Sequence, residues 1–182
     1  MSEAGEHLAR RMAADGAKTI GYLESLPAEA RAQQVYTTGS EWTVRDILAH
    51  FVSAERAFHE LLQDVLAGGH GAPRDMDIVE FNEREVPSLD DHAWRDLLTE
   101  FQAARKATVE IASEMTEVDL EKQGYHPWFG EVDLAAMAKL VYRHNMIHLR
   151  DIRNAVKAHA PVAHLEITPP SSQMADGGGD AG

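Results

Sequence analysis

The 182-residue chain contains no cysteine. That excludes disulfides, thiolate metal ligands and a cysteine nucleophile, so any bound metal is expected to be held by nitrogen and oxygen. Long apolar runs are missing as well. No stretch approaches the roughly 20 apolar residues of a membrane-spanning helix, and residues 1–11 lack the apolar segment of a secretory signal. A cytoplasmic protein with no membrane partner is therefore expected. Basic charge is scarce: 17 Lys plus Arg stand against 30 Asp plus Glu, a net charge of -13 with histidine neutral. So acidic a chain repels a phosphate backbone, and with no basic patch in view nucleic acid is not an expected partner.

No convincing run of alternating, strand-type sequence is found, whereas apolar residues recur at helical spacing in four long segments. The first covers residues 6–26, with Leu8, Met12, Ile20 and Leu23 as contacts; Gly16 and Gly21 weaken it, and Pro27 follows its end. The second runs from Thr43, which with Asp46 three residues on resembles a capping box, to about residue 67, where glycines end it. The third covers residues 89–114, with Trp94, Leu97 and Phe101 assigned to the core. The fourth starts at Asp133, a plausible N-cap, and continues to about Lys157. Between them, residues 27–42 read as a loop, residues 76–84 as a short helix lying across the bundle, and residues 116–131 as a connection. The pattern predicts an all-α four-helix bundle over residues 1–160 with a long crossover connection, followed by a polar, flexible tail over residues 161–182.

The fourth helix carries the chemistry. Met137, Val141, His144, His148, Ile152 and Ala155 follow one another in steps of three and four, so two imidazoles lie on an apolar stripe. Residues four apart on a helix have Cβ atoms roughly 5 to 6 Å apart, close enough to share one ion. A third ligand is available on the second helix, where Ile47, His50, Ala54, Ala57 and Leu61 form a similar face. Three inward histidines from two helices match a metal centre with open positions better than a closed structural one. Neutral imidazole suits zinc, nickel and iron alike. Asn145 stands where the helical His-Glu-x-x-His motif has its glutamate, which argues against peptidase chemistry.

Three segments resemble the DinB-like superfamily of bacterial four-helix bundles, which includes the YfiT-like and mycothiol-dependent maleylpyruvate isomerase-like proteins. They are Trp42-Thr-Val-Arg-Asp-Ile-Leu-Ala-His50, His126-Pro-Trp-Phe-Gly-Glu-Val-Asp-Leu134 and His144-Asn-Met-Ile-His148-Leu-Arg-Asp-Ile-Arg153. The resemblance implies that His50, His144 and His148 bind a divalent metal, zinc or nickel ahead of iron, and that the protein is a homodimer. It further implies chemistry on a small-molecule substrate, with a low-molecular-weight thiol as a candidate cofactor, of the thiol S-transferase or hydrolase type. A role in stress response, or a bundle that sequesters a small molecule without turning it over, is the alternative.

Other residues are weighed beside the triad. Glu55 and Asp151 are read either as acceptors for imidazole N–H groups or as solvated helix charges. Arg143, Arg150 and Arg153 could meet a carboxylate on a thiol cofactor or simply complement the helix C-terminus. His126 is read either as lining the mouth of the site or, with its Pro-Trp-Phe-Gly setting, as part of a structural turn, and Trp128 is placed in the core or in a pocket wall. His7, His59, His70, His92, His159 and His164 are assigned to the surface or to loops.

Overall fold

The computed structural model describes residues 2–164, so residues 165–182 of the expected tail lie outside the described part. Four long helices dominate: α1 (Glu3–Ser25), α3 (Val44–Leu66), α5 (Trp94–Glu114) and α7 (Leu134–Ala158). Shorter pieces are α2 (Ala28–Arg31), α4 (Ile78–Glu85), a 3₁₀ turn (Pro87–Leu89) and α6 (Glu117–Leu120).

Local chemistry sets the helix ends. Helix α1 starts earlier than the apolar spacing suggests because the Ser2 hydroxyl accepts the Gly5 N–H at 3.0 Å. At α3 the expected capping box is present: the Thr43 hydroxyl accepts the Asp46 N–H, and the Asp46 carboxylate accepts the Thr43 N–H at 2.9 Å. Thr43→Ala removes the first of these, and a loss of about 1 kcal/mol in unfolding free energy is expected in urea titrations. Helix α5 begins at Trp94 rather than near residue 89, since Pro87 and Ser88 are taken up in the 3₁₀ turn. Asp133 caps α7 by accepting the Ala136 N–H at 2.7 Å.

Helix α1 packs on α5 and α7, and α3 packs on the same two from the other side. Helices α3 and α5 run parallel, as Arg45 reaching the carbonyls of Leu89, Asp90 and His92 and Arg56 reaching Glu100 both show. Parallel neighbours cannot be joined by a short turn, so residues 67–93 form the long crossover, and α4 rides within it.

One expectation fails. Residues 123–133 form a hairpin of two antiparallel strands, β1 (Gln123–His126) and β2 (Gly130–Asp133), paired from Gln123↔Asp133 to His126↔Gly130. Strands of four residues are too short for an alternating pattern to register. Gly124 lets this hairpin press on α3, since a Cβ there would fall 2.5 Å from Val65 Cγ2.

The core has two apolar halves, one around Leu23, Ile47, Phe51 and Phe101, the other around Met12, Leu62, Met137 and Val141. A buried ionic layer sits at the waist. Arg105 of α5, 3 % exposed, donates Nε and Nη2 to the two carboxylate oxygens of Glu55 at 2.9 and 2.8 Å. Its other amino group donates to the Met12 carbonyl at 2.9 Å, with Asp15 at 3.5 Å. Gly16 makes room for the guanidinium stem, because a Cβ there would meet Arg105 Cγ at 2.9 Å. The glycine that weakens α1 as an isolated helix thus admits the side chain that ties α1, α3 and α5 together. Burial raises the Asp15 carboxyl above its ordinary pKa, with Arg105 opposing the shift.

Candidate metal centre

Helices α3 and α7 bring His50, His144 and His148 together, with one ring nitrogen of each lying within 4.8 Å of the others. Nε2 of His144 is 2.9 Å from Nε2 of His50 and 3.2 Å from Nε2 of His148. The side chains of His50 and His148 are each only 5 % exposed as residues, and Trp42 lies against His50 with ring centroids 4.7 Å apart.

The outer ring nitrogens indicate which way the inner ones point. Nδ1 of His148 is 2.5 Å from the Tyr36 hydroxyl, and that hydroxyl faces Asp151 Oδ2 at 3.5 Å. A carboxylate only accepts, so with the phenol proton turned to Asp151 the phenol oxygen accepts the His148 Nδ1–H, the arrangement that leaves His148 Nε2 free to ligate. Burial and the Asp151 charge raise the Tyr36 pKa, which keeps the phenol protonated. In the same way Nδ1–H of His144 donates to Asn145 Oδ1 at 3.2 Å. Nδ1 of His50 is buried with no hydrogen-bond partner among the described residues. These tautomers leave inward-facing lone pairs on Nε2 of both His144 and His148.

Acceptors held that close repel each other unless a cation lies between them. With metal–nitrogen bonds of about 2.0–2.1 Å, ligand nitrogens stand roughly 3.0 Å apart in an octahedral arrangement and roughly 3.3 Å apart in a tetrahedral one. The observed separations match such edges, so the donor set fits a divalent cation. Burial, assisted by the neighbouring imidazoles, holds His50 and His148 well below the ordinary histidine range and pushes His144 down to about 4. All three are thus neutral near pH 7, the state a metal ligand needs.

A stability prediction follows from the sign of these shifts. An unfolded histidine titrates near pH 6.5, whereas folded His144 and His126 are both pushed down to about 4 by burial. Between those values the unfolded chain binds protons that the folded chain refuses. The metal-free protein is therefore most stable above about pH 7 and loses stability as the pH falls towards 4, by up to about 1.4 kcal/mol per pH unit for each such histidine. Urea midpoints at pH 7.5, 6.0 and 5.0 check this; an unchanged midpoint would contradict the buried, neutral assignment.

Above the triad opens a cavity of about 480 Å³. Its walls come from α3, α4, the hairpin turn, α7 and the loop before α3, and Trp42, Phe58, Phe81, Trp128 and Phe129 are among its aromatic lining. Phe58 bridges the triad and the hairpin, with ring centroids 5.9 Å from His144 and 6.0 Å from His126.

Several sequence assignments change here. Glu55 is neither an imidazole acceptor nor solvated, being committed to Arg105 inside the core. Asp151 acts on His148 only through Tyr36. None of the three arginines weighed for cofactor binding lines the cavity: Arg150 pairs with Asp151, Arg153 lies over the Tyr22 ring at 4.7 Å, and Arg143 is exposed. His126 lines the cavity as well as shaping the turn, and Trp128 is a wall.

His164 is not simply a loop residue. Val162 pairs with Val35 and Thr37 through backbone hydrogen bonds of 2.7 and 3.0 Å, so residues 161–164 return to the bundle. His164 then stacks on His148 at 5.4 Å and packs against Tyr36 at 4.4 Å. Tyr36 lies in a loop without helical or alternating periodicity, so no sequence pattern marks it for the site.

No curated protein has a sequence that matches this chain. The family model of the DinB superfamily matches residues 11–152, a span that takes in α3 and α5, most of α1 and α7, and all three clustered histidines. With the bundle, the crossover and the triad in place, the chain belongs to the DinB superfamily.

Proposed function

We propose that this protein is a metal-dependent enzyme that activates a small thiol or water for attack on an electrophilic small molecule, of the S-transferase or hydrolase type. The observation that carries this reading is the convergence of three neutral imidazoles on the floor of a cavity large enough for a small ligand.

His50, His144 and His148 would hold the cation, zinc or nickel ahead of iron. A cation bound there would lower the pKa of a water or thiol ligand, by several units in the case of zinc, and so supply a nucleophile at neutral pH. The chain's own residues do the rest. Tyr36 and Asn145 fix the rings of His148 and His144 in one tautomer, so their lone pairs stay aimed inward. The aromatic walls exclude bulk water, which strengthens every electrostatic contact inside. Asn145, an amide, cannot take a proton as the glutamate of a helical metalloprotease motif does, which speaks against peptide hydrolysis.

Membership of the DinB superfamily supports a homodimer, and the acidic surface charge supports a protein that avoids nucleic acid. No helix among the described residues is long and apolar enough to cross a membrane, in keeping with a cytoplasmic setting.

Elemental analysis of the chain purified without a histidine tag, followed by product analysis after incubation with a thiol and an electrophile, tests the proposal. About one equivalent of metal and a thiol adduct or hydrolysis product are expected. Near-zero metal overturns the site. Metal with binding but no turnover would favour sequestration over catalysis.

A further inference from the structure

The cavity above the triad has an unusual electrostatic make-up. Among the described residues that line it, Glu83 is the single charged side chain, and it is exposed. Lys and Arg do not contribute at all, the three arginines of α7 being engaged or directed elsewhere. Residues 165–182, which lie outside the described part, hold neither Lys nor Arg in their sequence, so this chain's tail brings no cation either. At the wall of the cavity away from the triad, an anionic group would exchange water for apolar surface and meet no cationic side chain to offset the desolvation cost.

One polar group in the wall is preset. Nδ1 of His126 accepts the backbone N–H of Trp128 at 3.1 Å, which places the ring proton on Nε2. The ring is clamped between Phe58, stacked at 6.0 Å and 26°, and Phe129 at 5.4 Å. Its backbone is pinned in register by the pairing of His126 with Gly130. His126 therefore offers a fixed hydrogen-bond donor one aromatic ring away from His144, with Phe58 between them.

We infer that the cavity takes a neutral, flat aromatic molecule bearing one hydrogen-bond acceptor, which lies along Phe58 with its acceptor on His126 and its far end towards the triad. This rests on the proposed enzymatic reading for what happens at the triad, and it adds the substrate class. His126 is a binding and positioning residue in this arrangement, selecting ligands by their acceptor.

Three matched probes separate the elements of the inference: 2-acetylnaphthalene is neutral with an acceptor, 2-ethylnaphthalene is neutral without one, and 2-naphthoate is anionic. Affinities are measured by calorimetry on the full chain, as purified and again after chelator treatment. The chelated arm removes any direct pull of a metal on the carboxylate, so the result stands whether or not the metal proposal holds. The ketone is expected to bind at least roughly tenfold more tightly than 2-naphthoate. Its advantage over 2-ethylnaphthalene is expected to be roughly three- to tenfold, the worth of one hydrogen bond.

His126→Phe keeps the aromatic stack and removes the donor. It should bring the ketone and the hydrocarbon to equal affinity without weakening the hydrocarbon. His126→Gln, which restores an N–H, should recover part of the difference. Binding of 2-naphthoate as tight as that of the ketone in the chelated protein would overturn the charge argument. A ketone preference untouched in His126→Phe would overturn the role of His126. If neither neutral probe binds the wild type, the inference as a whole falls.

Discussion

His148→Ala is expected to abolish stoichiometric metal binding, lowering affinity for zinc or nickel by well over 100-fold, more than the 10- to 100-fold that loss of an orienting partner outside the coordination shell typically costs. The reason is geometric. His148 supplies one of three converging nitrogens, and its removal leaves two ligands on two different helices with water in place of the third. His50→Ala should do the same from the other helix. Tyr36→Phe is the informative companion: it keeps all three imidazoles but deletes the hydroxyl 2.5 Å from His148 Nδ1 and with it the link to Asp151. A loss within that 10- to 100-fold range is expected for it. Competition titrations against a chromogenic chelator measure all three variants. Wild-type affinity in His148→Ala would remove that imidazole from the ligand set, and wild-type affinity in Tyr36→Phe would show that the ring needs no such support. Circular dichroism controls for folding, since the metal-free imidazoles also fill the core.

Arg105→Met should lower the unfolding free energy by about 3–5 kcal/mol, the cost of stranding a buried charge. Glu55, 1 % exposed, would then face the apolar interior with no cation to accept from, and Asp15 would lose its neighbour as well. For a chain of this length that corresponds to a melting temperature lower by roughly 10 °C. The double variant Arg105→Met, Glu55→Leu removes both partners and should recover a large part of the loss, because a well-packed apolar pair can replace a buried ion pair at little net cost. Thermal and urea unfolding of the single and double variants separate the two contributions. If the double variant is no better than the single, the pair is needed for more than charge balance. Arg105 also bears on the histidine cluster, since its charge adds to burial in holding His144 neutral. Arg105→Met should therefore let His144 take a proton at slightly higher pH, visible in the imidazole proton resonances.

Much of the fold could be read from local patterns. The stripes of α3 and α7, the capping box at Thr43 and the cap at Asp133 depend on residues within a turn or two of each other, and sequence displays such relations directly. The same holds for the pairing of His144 with His148, which the helical repeat places side by side. His50 could be proposed as a partner because its helix face was also apolar, though the repeat alone could not say that the two faces meet. The hairpin of residues 123–133 was hidden, since its strands are too short to show a period and are held by contacts with α3 rather than by their own propensity.

Glu55 and His164 mark the limit most clearly. On α3, Glu55 looks like any helix carboxylate, and its meaning comes from Arg105, fifty residues away and opposite a glycine of α1. His164 follows Pro161 and a helix end, yet the strand-like pairing of Val162 swings it onto His148. The sequence by itself determined what composition and neighbours along the chain decide: helices, caps, the absence of thiolate ligands and a pair of histidines on one stripe. Tertiary structure alone decided what depends on packing between helices, namely the third imidazole, the Tyr36–Asp151 support, the fate of Glu55 and a cavity with no Lys or Arg among its described lining. Helical periodicity fixes where a side chain points on its own helix, but which residues it meets is set by how the four helices pack.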